Sequence, residues 1–195
     1  GHSRKLLPTI EAVFGDLGLD IRDVDIFAVV VGPGSFTGLR VSLACLRGMA
    51  GERPCLGVLA PEVAAWAARG RGKAVLAITD LFHGEIFGGV YGGDGLLRST
   101  QESGAAGSVF AMLRDFVDSE TVAIGSAALK HRAAMEEAFP GIATLQLDQG
   151  LAPHLASLAL ANAHSSSLRR ASDILPFYLR DPLTRGLLNT PRKGE

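Results

Sequence analysis

The stretch Gly32, Pro33, Gly34, Ser35, Phe36, Thr37, Gly38, Leu39, Arg40 has the composition of a binding turn. It follows an apolar run, IFAVVV at 26–31, and precedes a segment with helical spacing. A glycine turn there would meet a helix N-terminus, whose free N–H groups and dipole favour an anion. The details oppose a phosphate cradle. Pro33 has no N–H to offer, and no lysine follows the second glycine as in a P-loop. The dinucleotide fingerprint fails too, because Thr37-Gly38 replaces its last spacing and Glu52 precedes the next strand instead of ending it. Spacing alone favours a tight strand-to-helix turn with Thr37 as N-cap.

Other chemistry-bearing residues are sparse. His2, His83, His131, His154 and His164 share no metal-ligand spacing. Asp80 and Glu85 could pass for an acid pair but read as a polar loop edge. Cys45 and Cys55 are too few for a disulfide framework or a four-ligand zinc site, and fit small buried residues in a reducing cytosol. Trp66, on an alanine-rich helix, reads as core. Arg169, Arg170, Arg180, Arg185, Arg192 and Lys193 give the tail a thin basic surface, read as solvated.

The elements that must position these residues alternate. Leu6, Leu7, Ile10, Val13, Phe14 and Leu17 recur at three- and four-residue steps, a helix with Ser3 as N-cap and Gly18 as stop. Strand 26–31, helix 37–50, strand 55–59 and helix 61–69 follow, the last with Pro61 in its first turn. RGRGK at 69–73 reads as a hinge. Beyond it come strands at 74–79, 84–92 and 96–101, with Gly92-Gly93-Asp94-Gly95 as the turn, helices at 106–117, 126–139 and 152–166, and strands at 121–125 and 143–147. The second block therefore reads βββαβαβα, and the first matches it if three opening strands are missing. Such a repeat is the α/β layout of the two-lobed actin/Hsp70/sugar-kinase superfamily. The expected division is lobe one at 1–72, lobe two at 73–168 and a tail at 169–195. A chain starting with Gly1 is expected to begin inside a longer protein.

With 195 residues, 47% hydrophobic and 20% charged, the chain can bury a sizeable core, which excludes wholesale disorder. No run reaches the ~18 apolar residues of a membrane span, so no membrane association is expected and a cytoplasmic location is. Nineteen Lys plus Arg face twenty Asp plus Glu. That balance excludes a dedicated nucleic-acid binder relying on phosphate neutralisation.

GPGSFTGLR closely resembles the signature of the TsaB (YeaZ) family. HSRKLLPTIEAVF resembles that family's first-helix opening, and PCLGV followed by Glu62 its next strand and helix start. TDLFHGEIFGGVY resembles its hairpin, with Leu81, Phe82 and His83 replacing more usual Ala-Arg-Arg, and LPFYLRD at 175–181 resembles its tail. The family's opening strand with Asp-Thr-Ser is absent, which is expected to leave an exposed sheet edge.

The resemblance implies a non-catalytic partner subunit in threonylcarbamoyladenosine modification of tRNA, beside the anticodon. It would pair with a TsaD-like catalytic subunit, joined by a TsaE-like ATPase, and meet tRNA through the complex. It would carry no cofactor of its own, with ATP and metal on the partners. Where the TsaD relatives carry two metal-binding histidines, the alignment puts Ala60 and Ala64, which cannot coordinate. Pairing in the family uses the first two helices, implying an interface of Leu7, Ile10, Phe14, Arg40, Val41, Ala44 and Arg47. The second helix is apolar or small nearly all round, as a partner-covered helix needs. Alone, the chain is expected to cover that face with a second copy. The alternative is a nucleotide-dependent phosphotransferase or acyltransferase of the actin-like superfamily, using the interlobe cleft.

Overall fold

The computed structural model describes residues 5–147 and 150–179, except the side chain of Phe82. His2, the Ser3 cap, Arg180, Arg185, Arg192 and Lys193 lie outside the described residues.

Helix α1 (Leu6–Leu17) starts from Lys5 without a side-chain cap and stops at Gly18, whose left-handed backbone (φ 64°) closes the last turn. None of its residues is buried. Strand β1 (Phe27–Gly32) pairs in parallel with β2 (Cys55–Leu59). Helix α2 (Phe36–Ala50) connects them, and its Leu39, Leu43, Leu46 and Ala50 form one buried stripe at steps of three and four. Leu43, Leu46 and Ala50 of that stripe pack with Phe27 and Val29 on one face of β1. The other face of β1, Ile26, Ala28 and Val30, packs toward Leu155, Leu158 and Ala159 of α7 (Ala152–Ala161).

The second sheet has the order β5-β4-β3-β6-β7. Its centre is β3 (Ala74–Asp80), antiparallel to β4 (Glu85–Gly92) and parallel to β6 (Thr121–Ile124). β5 (Glu102–Ala105) and β7 (Ala143–Thr144) are the edges. Leu76, Ile78, Ile86 and Val90 meet Phe110 and Leu113 of α4 (Ala106–Leu113) on one face. Each fully buried side chain of this kind contributes about 1.5–3 kcal/mol. On the other face Val75, Ala77 and Tyr91 meet Ala64, Ala65 and Ala68, from α3 (Ala60–Ala67) and the residue that follows it. Helix α3 thus leaves β2 of one sheet and covers the other. Its small residues allow that close approach, and the fold is a mixed α/β one.

Four sequence expectations are corrected. The N-cap of α2 is Ser35, not Thr37: Gly38 N–H donates to Ser35 Oγ at 3.0 Å. Residues 96–101 form no strand, because Arg98 and Ser99 both donate their N–H to Val90 O and Arg98 pairs with Asp94, so the chain loops before β5. The helix expected at 126–139 breaks at His131 into α5 (Ser126–Lys130) and α6 (Arg132–Ala138). Trp66 is half-buried instead of core, its Nε1 donating to Ser157 Oγ and the Arg69 guanidinium stacked on its ring at 3.8 Å.

After α7 the chain returns to the first sheet. Arg169 bridges Cys55, and Ala171 and Ile174 enter the α2 core. Phe177 N–H then donates to Val31 O at 2.8 Å. Gly32, at φ 146°, makes room for this: a Cβ there would lie 2.5 Å from Phe177 O. The backbone angle and the contact both oppose a side chain. Gly32→Ala should therefore destabilise the chain by about 2 kcal/mol, read as a lower midpoint in chemical denaturation.

Candidate functional site

A cavity of about 480 Å³ opens between the two sheets. Three segments build it: Pro33 to Phe36 at the start of α2, Asp80 to Glu85 at the β3–β4 hairpin, and Phe177 to Leu179, with Ser103 and Gly104 of β5 closing one side.

The signature stretch is divided by its surroundings. Gly32, Pro33 and Leu39 are buried, while Gly34, Ser35, Phe36, Thr37, Gly38 and Arg40 are exposed. Gly38 is tied to the cap, since a Cβ there would fall 2.6 Å from Ser35 Oγ. The Arg40 guanidinium lies 3.8 Å over the Phe36 ring, and its Nε donates to Tyr178 Oη at 3.3 Å. The Tyr178 ring leans on Phe36 at 5.2 Å. Next to it, Phe177 meets Phe87 of β4 at 5.4 Å. Two consecutive aromatic residues thus join both walls of the cavity.

On the opposite wall, Asp80 ends β3. Its N–H donates to Ser126 Oγ at 2.9 Å, and its carboxylate accepts from Lys130 Nζ at 2.7 and 2.9 Å. His131 Nε2 stands 3.3 Å from Oδ1. Burial would raise the Asp80 pKa, but the hydrogen bonds from Lys130 and His131 outweigh it and hold the carboxyl below its ordinary value. The α5–α6 break at His131 puts these two side chains together. His83 stands at the hairpin with a left-handed backbone (φ 66°), a conformation uncommon outside glycine.

Glu62, quoted in the family resemblance, is structural. Its carboxylate accepts the Leu59 N–H at 3.1 Å, closing the start of α3, and burial pushes its pKa up. Ala60 and Ala64 are buried. Among the described residues, no group of three or more His, Cys, Asp or Glu could hold a metal ion. The described helices include none long and apolar enough to cross a membrane.

The residues expected to form a partner interface lie on α1 and α2. On α1, Leu7 is 48% exposed, and Ile10 and Phe14 are half-buried. On α2, Arg40, Ala44 and Arg47 are exposed and Val41 is half-buried. No extended contact joins the two helices among the described residues. Both arginines also have work within the chain: Arg47 donates to Ala171 O and Ile174 O at 3.3 and 3.0 Å, holding the same returning segment that Arg40 holds through Tyr178.

Sequence reasoning named Phe177 and Tyr178 only within the LPFYLRD stretch and His131 only as a histidine without ligand spacing, and it passed over Lys130. The signal for the first pair was available in LPFYLRD, where adjacent aromatics follow a polar run. For the second pair there was none, since both residues act through a helix break.

Because its folded pKa is depressed, the stabilisation from Asp80 is present above the ordinary carboxylate value of about 4 and is lost as pH falls through the folded value. Asp80→Asn should cost about 1 kcal/mol at neutral pH. Melting temperatures of variant and wild type should converge in acid, and a gap that persists there would sink the assignment.

Comparison with known proteins agrees with this architecture. A family model described as "TsaD: tRNA N6-adenosine threonylcarbamoyltransferase" matches residues 1–169. The Escherichia coli (strain K12) tRNA threonylcarbamoyladenosine biosynthesis protein TsaB is 32% identical over 95 residues, 46% of this chain and 41% of that protein. The Haemophilus influenzae TsaB is 41% identical over 49 residues, 25% of this chain and 21% of that protein. The matches thus span less than half the length of these curated relatives. Among solved structures, an uncharacterized Pseudomonas aeruginosa protein with similarity to peptidase YEAZ superposes with a TM-score of 0.74 at 27% identity, covering 92% of this chain and 85% of that one. YeaZ from Pseudomonas aeruginosa gives the same TM-score of 0.74 at 24% identity, over 90% and 84% of the two chains, and supports the fold alone. The chain belongs to the TsaD family of the matching model, and its relatives there identify it with the TsaB/YeaZ proteins.

Proposed function

We propose that the chain is a non-catalytic partner subunit in threonylcarbamoyladenosine modification of tRNA. The observation that carries this reading is α1. Its sequence, LLPTIEAVFGDL, is largely apolar, yet it buries none of its residues. Such a helix is stable in proteins chiefly when something covers its apolar face. The covering surface we assign is a TsaD-like catalytic subunit, docking on Leu7, Ile10 and Phe14 of α1 and on Val41 and Ala44 of α2. Gly48 fits this, since a Cβ there would meet open space and nothing among the described residues requires its small size. A TsaE-like ATPase joins the complex, tRNA is met through it, and ATP and metal reside on the partners. The reading divides the chain into lobes at 1–72 and 73–168 with a tail at 169–195, and places it in the cytoplasm.

A catalytic reading has one observation in its favour: the matching family model is that of a transferase. The buried methyl groups of Ala60 and Ala64 favour the non-catalytic one, because neither can ligate a metal. Purified chain should carry no stoichiometric zinc or iron and should not turn over ATP alone. Stoichiometric metal by elemental analysis, or turnover without partners, would establish the transferase reading instead.

The partner surface is tested by Ala44→Glu. Ala44 is exposed in the free chain, so the melting temperature should change little. In the complex a buried, unpaired carboxylate costs several kcal/mol, lowering affinity for the catalytic subunit by ~10³. Undiminished pull-down of that subunit would place the docking surface elsewhere.

A further inference from the structure

The segment that returns after α7 runs along α2 in the opposite direction. Near the C-terminal end of the helix, Arg47 donates to Ala171 O and Ile174 O at 3.3 and 3.0 Å. Two turns earlier, about 10 Å along the axis, Arg40 Nε donates to Tyr178 Oη at 3.3 Å. Ala44 lies between the two contacts, exposed and on the same side of the helix. Helix α2 carries no acidic residue that could engage either guanidinium. The Arg40 group is held from a second direction by the Phe36 ring, 3.8 Å from its centroid, and the Tyr178 ring leans on that same ring at 5.2 Å.

This segment has anchors of its own. Ala171 and Ile174 are buried in the α2 core, Phe177 N–H donates to Val31 O, and the Phe177 ring meets Phe87. The arginine contacts come on top of that anchoring, so their main consequence falls on the arginines. An unheld arginine on a helix surface samples many rotamers, and a protein that docks there must order it. Held by the segment, Arg40 and Arg47 are already ordered on both sides of Ala44.

We propose that segment 171–178 is a strap that prepares α2 for docking: by fixing Arg40 and Arg47 it presents the catalytic subunit with a surface already in one arrangement. Tyr178 is a positioning residue that acts through Arg40. Its hydroxyl is the one side-chain acceptor that the strap offers α2 among the described residues. Freezing a side chain as rich in rotamers as arginine lowers a partner's affinity by a factor of about five, and the strap removes that loss in advance. The inference rests on the docking to α2 proposed above and adds how that surface is set.

The test is the affinity of the whole chain for the TsaD-like catalytic subunit of the same genome, by titration calorimetry, in two backgrounds. Tyr178→Ala should bind about fivefold more weakly than wild type. Made in Arg40→Ala instead, the same substitution should weaken binding no further, because the side chain it positions is gone. Equal affinity of Tyr178→Ala and wild type overturns the proposal. So does the same loss in both backgrounds, which would make Tyr178 a purely structural residue. Ala44→Glu separates the strap from the docking reading. If Ala44→Glu binds as wild type does, that reading fails and the strap proposal with it. If Ala44→Glu loses binding while Tyr178→Ala keeps it, the strap proposal fails alone. The free chain gives a second readout. The Arg40 Nε–H order parameter from nuclear magnetic relaxation should fall in Tyr178→Ala while the α2 backbone amides stay as they are, and an unchanged value overturns the proposal. Should Tyr178→Ala fail to fold, Tyr178→Phe, which removes only the hydroxyl, takes its place in both measurements with losses in the same direction.

Discussion

The hydrogen bond from Phe177 N–H to Val31 O is small, about 1 kcal/mol by itself, yet the arrangement of the site depends on it. It fixes Phe177 at the end of β1, where its ring reaches Phe87 on the other sheet, and so brings Tyr178 onto Phe36. Without that register the two walls of the cavity would be joined mainly through the packing of α3 and α7. The glycine at position 32 is explained by the same contact, since the returning backbone occupies the space a methyl group would need. A signature that looks like a phosphate turn therefore has a structural duty first.

That duty changes how the arginines of α2 are understood. Arg40 and Arg47 lie seven residues apart on one exposed side, an arrangement that suits a partner interface. Each instead donates to the segment 171–178, one to Tyr178 Oη and one to the carbonyls of Ala171 and Ile174. Charge on a helix surface need not mean charge offered to a partner, because long side chains reach back along the molecule. Ala44 keeps its place in the proposed interface because it has no such reach.

The order of elements was legible because it rests on local signals. Gly18 ends α1, Pro61 starts α3, and the apolar run before Gly32 makes a buried strand. What was illegible rests on contacts between distant residues. Nothing in the alternation of LLRSTQ shows that Arg98 and Ser99 will both bond Val90 O and fold the segment away from the sheet. Nothing around His131 signals a helix break, since neither glycine nor proline stands there. Ser35 took the cap from Thr37 for a local reason that could have been read: a cap at Ser35 puts Gly38 three residues on, where its N–H meets Ser35 Oγ without a side chain in the way.

The cavity walls also set what the cleft can do. One wall is an aromatic shelf already holding the Arg40 guanidinium, and the other is a carboxylate already held by Lys130 and His131. A site for chemistry keeps its charged groups aimed at a reacting atom, with their partners behind them. Here Asp80 is neutralised by Lys130 within its own wall, and Ser35 Oγ accepts a helix N–H. Groups engaged in this way hold the walls in place. The cleft thus fixes α2 relative to the second sheet, and under the proposed function it is the outer side of α2, with α1, that meets another protein.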